Sequence, residues 1–245
     1  MSGKMIEELS LNHWQSLSTL LYDGWLLRFA DGYTKRANSI NPLYGSSLDL
    51  DEKVAYCEKL YAANQLRAAF KITPFAQPDA LDASLEKKGY VLVDHTSVQT
   101  VSLDGISPPP TCAVHIDDTI QDEWIGNMCR LNQIAEGHRD AMRRMLANIR
   151  TKKAFVTLYR DQVAVACGLG VIERDYIGLY DIVTDARFRN EGYGTQLVHH
   201  LLHWGKENGA KFSYLAVLRD NAPAHRLYAK LGYEEVYTYW YRVKS

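Results

Sequence analysis

The most informative stretch of the sequence is DIVTDARFRNEGYGTQLV, residues 181–198. Its apolar start is typical of the end of a buried β-strand, and a polar turn follows. Leu197, Val198, Leu201 and Leu202 have the spacing of one buried helix face, which predicts a helix over residues 192–208. The stretch therefore predicts a strand, a tight turn and a helix in direct succession.

Gly192 and Gly194 open this predicted helix. A helix N-terminus presents unpaired N–H groups and the positive end of the helix dipole, so it favours an anion. Glycine lets phosphate oxygens approach the backbone because it has no Cβ atom. No glycine stands at Leu197 for a dinucleotide fingerprint, and no Gly-Lys-Ser/Thr ends a Walker loop. The pattern favours a phosphate site, and plain helix capping is the alternative.

Two motifs in this order resemble a known family. The pattern Arg-x-x-Gly-x-Gly, residues 189–194, resembles the acetyl-CoA motif of the GNAT superfamily of N-acetyltransferases. Residues 221–233, NAPAHRLYAKLGY, resemble the N-x-x-A-x-x-L-Y-x-x-x-G-[FY] segment of that family. The resemblance covers roughly residues 113–245, and it implies an acyl-CoA N-acyltransferase fold with acetyl-CoA as co-substrate.

The resemblance also implies roles for individual residues. The backbone of Ile182, Val183 and Thr184 would hold the pantetheine arm, and the Val183 amide would stabilise the tetrahedral intermediate. The pyrophosphate would be held by the amides of Arg189, Asn190, Glu191, Gly192, Tyr193, Gly194 and Thr195. Asn190 replaces a glycine that is common in the family, and Glu191 places an acid beside the diphosphate. Thr184 replaces the usual aliphatic residue.

The second motif supplies a proton donor. Tyr228 matches the family's acid, which protonates the leaving thiolate, although a tyrosine on an apolar helix face is ordinarily core. Asn221 would hydrogen-bond the coenzyme arm or cap the following helix.

Acetyl transfer needs a neutral amine, and a free alkylamine with a pKa near ~10 is mostly protonated at pH 7. Asp181 is the candidate base, because a carboxylate at the end of an apolar strand is partly desolvated and its pKa rises. A charge at an exposed strand end, or an acceptor for a neighbouring loop, is the structural alternative. Glu136 and Glu173 are weaker candidates.

The two halves of the chain resemble each other at one corner. LEKKGY, residues 85–90, matches YAKLGY, residues 228–233, with an offset of 143 positions. The Pro-rich stretch 107–111 predicts a linker between a degenerate GNAT-like domain over residues 1–106 and a catalytic GNAT domain over residues 112–245. The first half lacks Gly-x-Gly, and its comparable helix opens with Asp49, Asp51 and Glu52. Because these charges would repel a diphosphate, we expect no coenzyme there.

Periodicity in the first half predicts helices over residues 6–22 and 51–65, with strands over 25–30 and 34–44 between them. A strand over 68–73, a helix over 78–88 and a strand over 90–103 follow. In the second half a hairpin of strands over 154–159 and 163–172 precedes strands and helices that alternate. This order predicts an α/β fold with a mixed sheet and argues against a doubly wound parallel sheet.

Composition narrows the function. The formal net charge is −1 and 47% of residues are hydrophobic, so a globular protein is expected and no basic surface for nucleic acid or membrane stands out. The four cysteines are far apart and no export signal is visible, which favours a cytoplasmic protein. His199 and His203 lie one helical turn apart, yet no nearby cysteine or acid completes a metal site, so no metal is expected.

The acceptor stays open at this stage. A small-molecule amine, an amino acid or a peptide N-terminus is compatible with the charge balance. The first half would shape the acceptor site or an oligomer interface, so a homodimer is compatible too. The alternatives to an enzyme are a sensor that binds acetyl-CoA without transfer and an interaction protein with the same fold.

Overall fold

The structure is a computed structural model that describes residues 2–109 and 112–244. Its strands are β1 Ser18–Tyr22, β2 Trp25–Phe29, β3 Ile40–Asn41, β4 Ala69–Ile72, β5 Tyr90–Ser102, β6 Ala113–Asp117, β7 Lys152–Arg160, β8 Val163–Glu173, β9 Tyr176–Thr184, β10 Phe212–Leu218 and β11 Glu234–Lys244. Its helices are α1 Gly3–His13, α2 Leu50–Ala63, α3 Leu81–Lys87, α4 Asp122–Asn132, α5 Arg139–Ala147, α6 Tyr193–Glu207 and α7 Ala222–Lys230. Among the described residues, none of these helices is long and apolar enough to cross a membrane.

All eleven strands form one mixed sheet in the order β1-β2-β3-β4-β11-β5-β10-β9-β8-β7-β6. The sheet is mixed because β9 runs parallel to β10, whereas β5 pairs antiparallel with both β10 and β11. This confirms the predicted α/β fold class. The last strand of the first half, β5, lies between two strands of the second half, so the halves share one continuous sheet.

Helices cover both faces of the sheet. Alternate residues of a strand point to opposite faces, and on β7 Phe155 packs with α4 and α5, whereas Val156 packs with α6. The helices α1, α4 and α5 share one face, and α2 and α3 pack with Phe70 and Ile72 on the other. The coenzyme motif at the start of α6 therefore lies on the face opposite α1.

The internal offset of 143 positions extends beyond the corner found in the sequence. Adding 143 to the bounds of α2 gives residues 193–206, which are α6 but for its last residue. The same shift brings α3 onto α7, β4 onto β10 and β5 onto β11. These correspondences agree with a duplicated unit.

The helix predicted over residues 6–22 is wrong in its second half, because α1 ends at His13 and residues 18–22 form β1. Asp23 and Gly24 join β1 to β2 with φ values of 41° and 82°, and Tyr22 pairs with Trp25 across them. Positive φ at both positions of a two-residue turn is typical of a tight hairpin, for which Asp-Gly is a strong signal.

The strand predicted over residues 34–44 is also mostly wrong. Only Ile40 and Asn41 form β3, and residues 35–37 form a 3-10 turn. The Asn38 side chain accepts from the amides of Ala30 and Gly32 and donates to the Thr34 carbonyl. These side-chain hydrogen bonds take the place of strand-to-strand backbone hydrogen bonds in this segment. Of the predicted linker, residues 110 and 111 lie outside the described residues, and 107–109 belong to no helix or strand.

Candidate active site

The site begins where β9 and β10 part. Their parallel pairing runs from Tyr176 opposite Phe212 to Leu179 opposite Leu215, and the register goes no further. On the other side of β9, Tyr180 faces Leu169 and Val183 faces Cys167, so two residues of β9 stand opposite one of β8. Such a bulge bends a strand. Asp181 lies in the bulge with a φ of 51°, at the point where the two strands separate.

The chain then turns into α6 through the predicted anion loop. Asn190 in this turn has a φ of 65°, and Gly192, two residues later, has a φ of 88°. Asparagine is among the non-glycine residues that tolerate this left-handed region best, which explains how it replaces glycine. Gly192 is the N-cap of α6 and provides no side-chain cap. The N–H groups of the first helical turn therefore have no partner within the helix.

The charged side chains of this turn are Asp185, Arg187, Arg189 and Glu191, and both acids are paired with arginines. Asp185 accepts from the Arg187 amide and from the guanidinium groups of Arg187 and Arg130, which hold the pKa of that carboxyl well below its usual range. Glu191, the acid beside the predicted diphosphate, is paired with Arg160 at 2.7 Å. Its charge is thus compensated by the protein. Arg189 is exposed and has no carboxylate partner in the described part of the chain.

Gly194 allows the start of α6 to pack closely against its neighbours. A Cβ atom at this position would lie 3.1 Å from Leu227 Cδ1 and 3.4 Å from Thr184 Oγ1. Gly194 thus brings the start of α6 close to both the end of β9 and α7. Ile182, Val183 and Thr184 follow the bulge on β9, so the structure places the predicted pantetheine segment beside the predicted pyrophosphate loop.

Asp181 is buried, with only 5% of its side chain exposed. Burial raises the pKa of this carboxyl, against the opposing effect of the Arg36 guanidinium, whose Nη2 lies 3.4 Å from Oδ1. The second oxygen, Oδ2, is buried and accepts no hydrogen bond from the described residues. Both properties suit a group that receives a proton, because a raised pKa brings a carboxylate closer to neutral pH.

Tyr228 lies on α7 and is 7% exposed. Its ring stacks edge-on against Tyr233 with the centroids 5.6 Å apart, and it packs in the cluster that includes Leu197 and Leu215. Burial raises the pKa of Tyr228 to about 12, so the phenol stays protonated at neutral pH. Asp181 contacts residues on the α1 face and Tyr228 packs on the α6 face, so the two flank the sheet from opposite sides.

The remaining candidates lie in other surroundings. The Asn221 side chain accepts from the Ala224 amide at 3.2 Å, so it caps α7. Glu173 accepts from Asn12 at the far end of β8, paired with Tyr176, and Glu136 is exposed in a 3-10 turn next to Arg139. The structure does not bring either glutamate to the bulge on β9.

The two histidines suggested by their spacing do not form a cluster. His203 lies 3.4 Å from Glu207, and within the described residues no group of three or more histidines, cysteines, aspartates and glutamates is placed to hold a metal ion.

The sequence suggested Trp14 as core or as a wall of the acceptor pocket, and it gave no indication of Arg36 or Tyr33. Arg36 pairs with Asp181, its guanidinium lies 4.3 Å from the centre of the Trp14 ring, and the charge of Asp181 also acts on the nearby Tyr33. Arg36 is 145 positions from Asp181 in the chain, and no local pattern links them. A Trp and an Arg on separate elements carry no motif, so only the fold reveals the site they share.

Three comparisons relate this architecture to known proteins. A family model described as "Probable histone acetyltransferase Rv0428c C-terminal" matches residues 4–242. The protein "Uncharacterized N-acetyltransferase YobR" of Bacillus subtilis (strain 168) is 28% identical over 247 residues, which is 98% of each chain.

Solved structures share the fold. A GCN5-related N-acetyltransferase from Kribbella flavida superposes with a TM-score of 0.73 at 18% identity, over 98% of this chain and 95% of that one. A tandem GNAT protein from the clavulanic acid biosynthesis pathway superposes with a TM-score of 0.65 at 15% identity, over 98% and 87% of the two chains. Since the family model spans nearly all of the described residues, the chain belongs to the family of "Probable histone acetyltransferase Rv0428c C-terminal" proteins and is an acyltransferase of the GNAT type.

Proposed function

We propose that the protein transfers the acetyl group of acetyl-CoA to a primary amine. The observation that carries this proposal is the position of the uncapped start of α6, directly after the strand that parts from β10. An anion-binding helix end and an opening in the sheet lie next to each other, so a diphosphate and the thioester arm attached to it fit together. The four cysteines are free, which supports a reducing, cytoplasmic setting.

The coenzyme would bind along one continuous path. The amides of residues 189–195 hold the pyrophosphate, with Arg189 adding a positive charge. The backbone of Ile182, Val183 and Thr184 holds the pantetheine arm on the side of β9 that β10 leaves. The thioester would then lie at the opening, between Asp181 on one face of the sheet and Tyr228 on the other.

The reaction would proceed by direct attack. Asp181 accepts a proton from the acceptor amine, whose nitrogen then bonds to the thioester carbonyl carbon. The Val183 amide stabilises the oxyanion of the tetrahedral intermediate. The carbon–sulfur bond then breaks, and Tyr228 gives its proton to the departing thiolate. Burial raises the pKa of Tyr228, so the phenol is protonated and can act as the proton donor at neutral pH.

Two measurements test the proposal together. Acetyl-CoA should raise the melting temperature, since a ligand that binds only the native state stabilises it. Thiol release should follow when amines, amino acids and peptides are supplied. Tight binding without thiol release for any acceptor would favour a sensor instead, and an unchanged melting temperature at millimolar acetyl-CoA would favour an interaction protein.

The family description raises a second candidate acceptor, the lysine side chain of a basic protein. A peptide carrying one lysine and a blocked N-terminus belongs in the same panel. The net charge of −1 gives no electrostatic attraction to such a substrate.

The two-domain division proposed for residues 1–106 and 112–245 is supported by the offset of 143 positions between matching elements. In this proposal the first half contributes Trp14, Tyr33 and Arg36 to the acceptor side. A homodimer remains a prediction that the mass of the protein in solution would test.

A further inference from the structure

Arg36 is the cation of the candidate site, and it comes from the first half of the chain. Its Nη2 atom lies 3.4 Å from Asp181 Oδ1, and its guanidinium stacks on the Trp14 ring. Arg36 also lines a narrow cavity at the opening between β9 and β10, together with Tyr180, Tyr214 and residues of β11. The guanidinium therefore lies beside the base candidate, close to the place where β9 and β10 part.

A second arginine fixes this arrangement. Arg28 is 4% exposed, and its guanidinium donates to the carbonyls of Arg36 at 2.7 Å, Leu11 at 3.2 Å and Trp14. The buried Arg28 side chain thus holds the backbone of Trp14 and of Arg36, the two residues that stack on each other. The orientation of Arg36 is set before any substrate arrives, which reduces the entropy lost on binding.

Most of the hydrogen-bonding capacity of Arg36 remains available to a ligand. A guanidinium has five N–H donors, and Asp181 is the one carboxylate in ion-pair contact with Arg36 in the described part of the chain, through one nitrogen. About a third of the side chain, 34%, is exposed. A planar, preoriented guanidinium is suited to binding a carboxylate through two parallel hydrogen bonds.

Asp181 has the complementary need. Its Oδ2 atom is buried and accepts no hydrogen bond from the described residues. Buried polar atoms in folded proteins nearly always have partners, so this unpaired carboxylate oxygen beside Arg36 is open to a donor supplied by a ligand. An amine N–H is such a donor. The available donors of Arg36 and the orphaned acceptor of Asp181 are therefore adjacent.

We propose that the acceptor is an α-amino acid, whose carboxylate binds Arg36 while its amine donates to Asp181. This inference rests on the proposed transferase function and names its substrate class. Two neighbouring protein groups of opposite charge match an amine and a carboxylate that share one carbon atom. A peptide N-terminus has an amide in place of that carboxylate, and a lysine side chain holds its amine several carbons away.

The proposed reaction is balanced without further reactants. The amine nitrogen bonds to the acetyl carbon and one of its protons passes to Asp181. The carbon–sulfur bond of acetyl-CoA breaks, Tyr228 gives its proton to the thiolate, and the proton held by Asp181 returns to the Tyr228 oxygen through solvent. The products are an N-acetyl amino acid and coenzyme A, and Arg36 keeps its proton and its contact with the carboxylate throughout.

Matched acceptors test the carboxylate directly. The panel contains the twenty standard amino acids, their amides such as L-phenylalaninamide, the corresponding decarboxylated amines such as phenethylamine, and the blocked lysine peptide. We expect kcat/KM for the best amino acid to exceed that for its amide about 100-fold, since the amide loses two charge-assisted hydrogen bonds. Equal rates for amino acid and amide would overturn the inference while leaving the transferase intact, as would acetylation confined to lysine peptides.

Variants separate Arg36 from general effects. Arg36→Met should lower kcat/KM for the amino acid about 100-fold more than kcat/KM for the decarboxylated amine, so the ratio of the two values is the readout. Both values fall to some extent, because the guanidinium also acts on the Asp181 carboxyl. Arg36→Lys should restore part of the loss. The matched control is Lys35→Met, whose ammonium pairs with Asp94 at 2.9 Å away from the site, and it should behave like the parent. An Arg36→Met enzyme that keeps the parent's preference for amino acid over amide would refute the assignment.

Binding without turnover gives an independent result. With coenzyme A present instead of acetyl-CoA, at least one amino acid should raise the melting temperature of the parent and not of Arg36→Met. If no amino acid does so for the parent, the inference fails, whatever the outcome of the acetyl-CoA tests.

Discussion

The helices α2 and α6 occupy matching places in the two halves of the chain, and their first residues behave in opposite ways. Asp49 and Gly192, which are 143 positions apart, are the N-caps of the two helices. The Asp49 carboxylate accepts from the amides of Asp51 at 2.9 Å and Glu52 at 3.1 Å. Gly192 offers no such group. The first helix end is closed by the chain's own carboxylate, and the second is left for another anion.

A second carboxylate closes the loop before α2. Asp23 accepts from the amides of Ser47 and Leu48 and pairs with the buried ammonium of Lys53 at 3.1 Å. Shifted by 143, residues 47 and 48 correspond to residues 190 and 191 of the proposed pyrophosphate loop. The comparison teaches that acids of the first half occupy amides whose counterparts in the second half are left for the proposed pyrophosphate.

Exchanging the two caps is the strongest way to break this comparison. Gly192→Asp should weaken acetyl-CoA binding by about 1000-fold, because a carboxylate beside the diphosphate costs several kcal/mol and the position has a positive φ. Isothermal titration calorimetry measures the dissociation constant. Gly192→Ala separates strain from charge, and Asp49→Gly is the matched control, with unchanged affinity. Parent-like affinity of Gly192→Asp would remove the phosphate site from the proposal.

The proton donor offers a second contrast. Tyr228 corresponds to Leu85, which is fully buried on α3. Tyr228→Phe should lower kcat about 100-fold and leave the affinity for acetyl-CoA nearly unchanged, as expected for the loss of a general acid. Leu85→Ala should instead destabilise the protein by about 2–5 kcal/mol and leave kcat of the folded enzyme unchanged. Steady-state kinetics measure the first effect and denaturant unfolding measures the second. A parent-like kcat for Tyr228→Phe would mean that Tyr228 only packs in the core and is not the proton donor.

The pH profile sharpens the role of Asp181. Burial raises the pKa of this carboxyl above its ordinary value of 3.8, and a base works only when ionised. We expect kcat/KM to fall tenfold per pH unit once the pH drops below that raised pKa. The Asp181→Asn variant should have a low kcat/KM, and that value should not fall in the same way at low pH. If kcat/KM of the variant fell at low pH as that of the parent does, the titrating group would be one other than Asp181.

The smallest expected effect on the coenzyme comes from the first half. Asp23→Asn leaves Lys53 without its anion, so the melting temperature should fall, while the affinity for acetyl-CoA and the stoichiometry of one per chain should stay as in the parent. Hydrogen bonds from the Leu48 and Ser47 amides hold the pKa of Asp23 well below its usual range. Its contribution to stability is therefore present above pH 3.8 and is lost as the pH falls below that value. A second bound coenzyme in the variant would contradict the comparison.

The sequence was sufficient for the features that depend on neighbouring residues. Residues 181–198 predicted the strand, the turn and the helix in the right order, because apolar periodicity and glycine position act locally. The corner at Gly89 and Gly232 revealed the offset for the same reason. The Asp-Gly hairpin at residues 23–24 carried an equally local signal, and the helical periodicity of the residues before it led to a helix that is wrong from residue 14 onward.

Features that depend on distant contacts could not be predicted. Arg36 lies in the 3-10 turn before β3 and meets Asp181 on β9 across 145 positions of the chain. The orphaned Oδ2 atom is likewise a property of packing. The bulge at Asp181 likewise requires a left-handed backbone at a residue that is not glycine, which pattern analysis places in a regular strand. The position of β5 between β10 and β11 follows from pairing on both edges, and composition does not specify such partners.

That placement of β5 has a consequence for biosynthesis. The first half needs β11 to join β4 to β5, and β11 comes after the other ten described strands in chain order. The sheet of the first half therefore stays open until β11 has been synthesised, and until then the facing edges of β4 and β5 have no partner strand between them. A stop codon after residue 233 would damage the half of the protein that was made first.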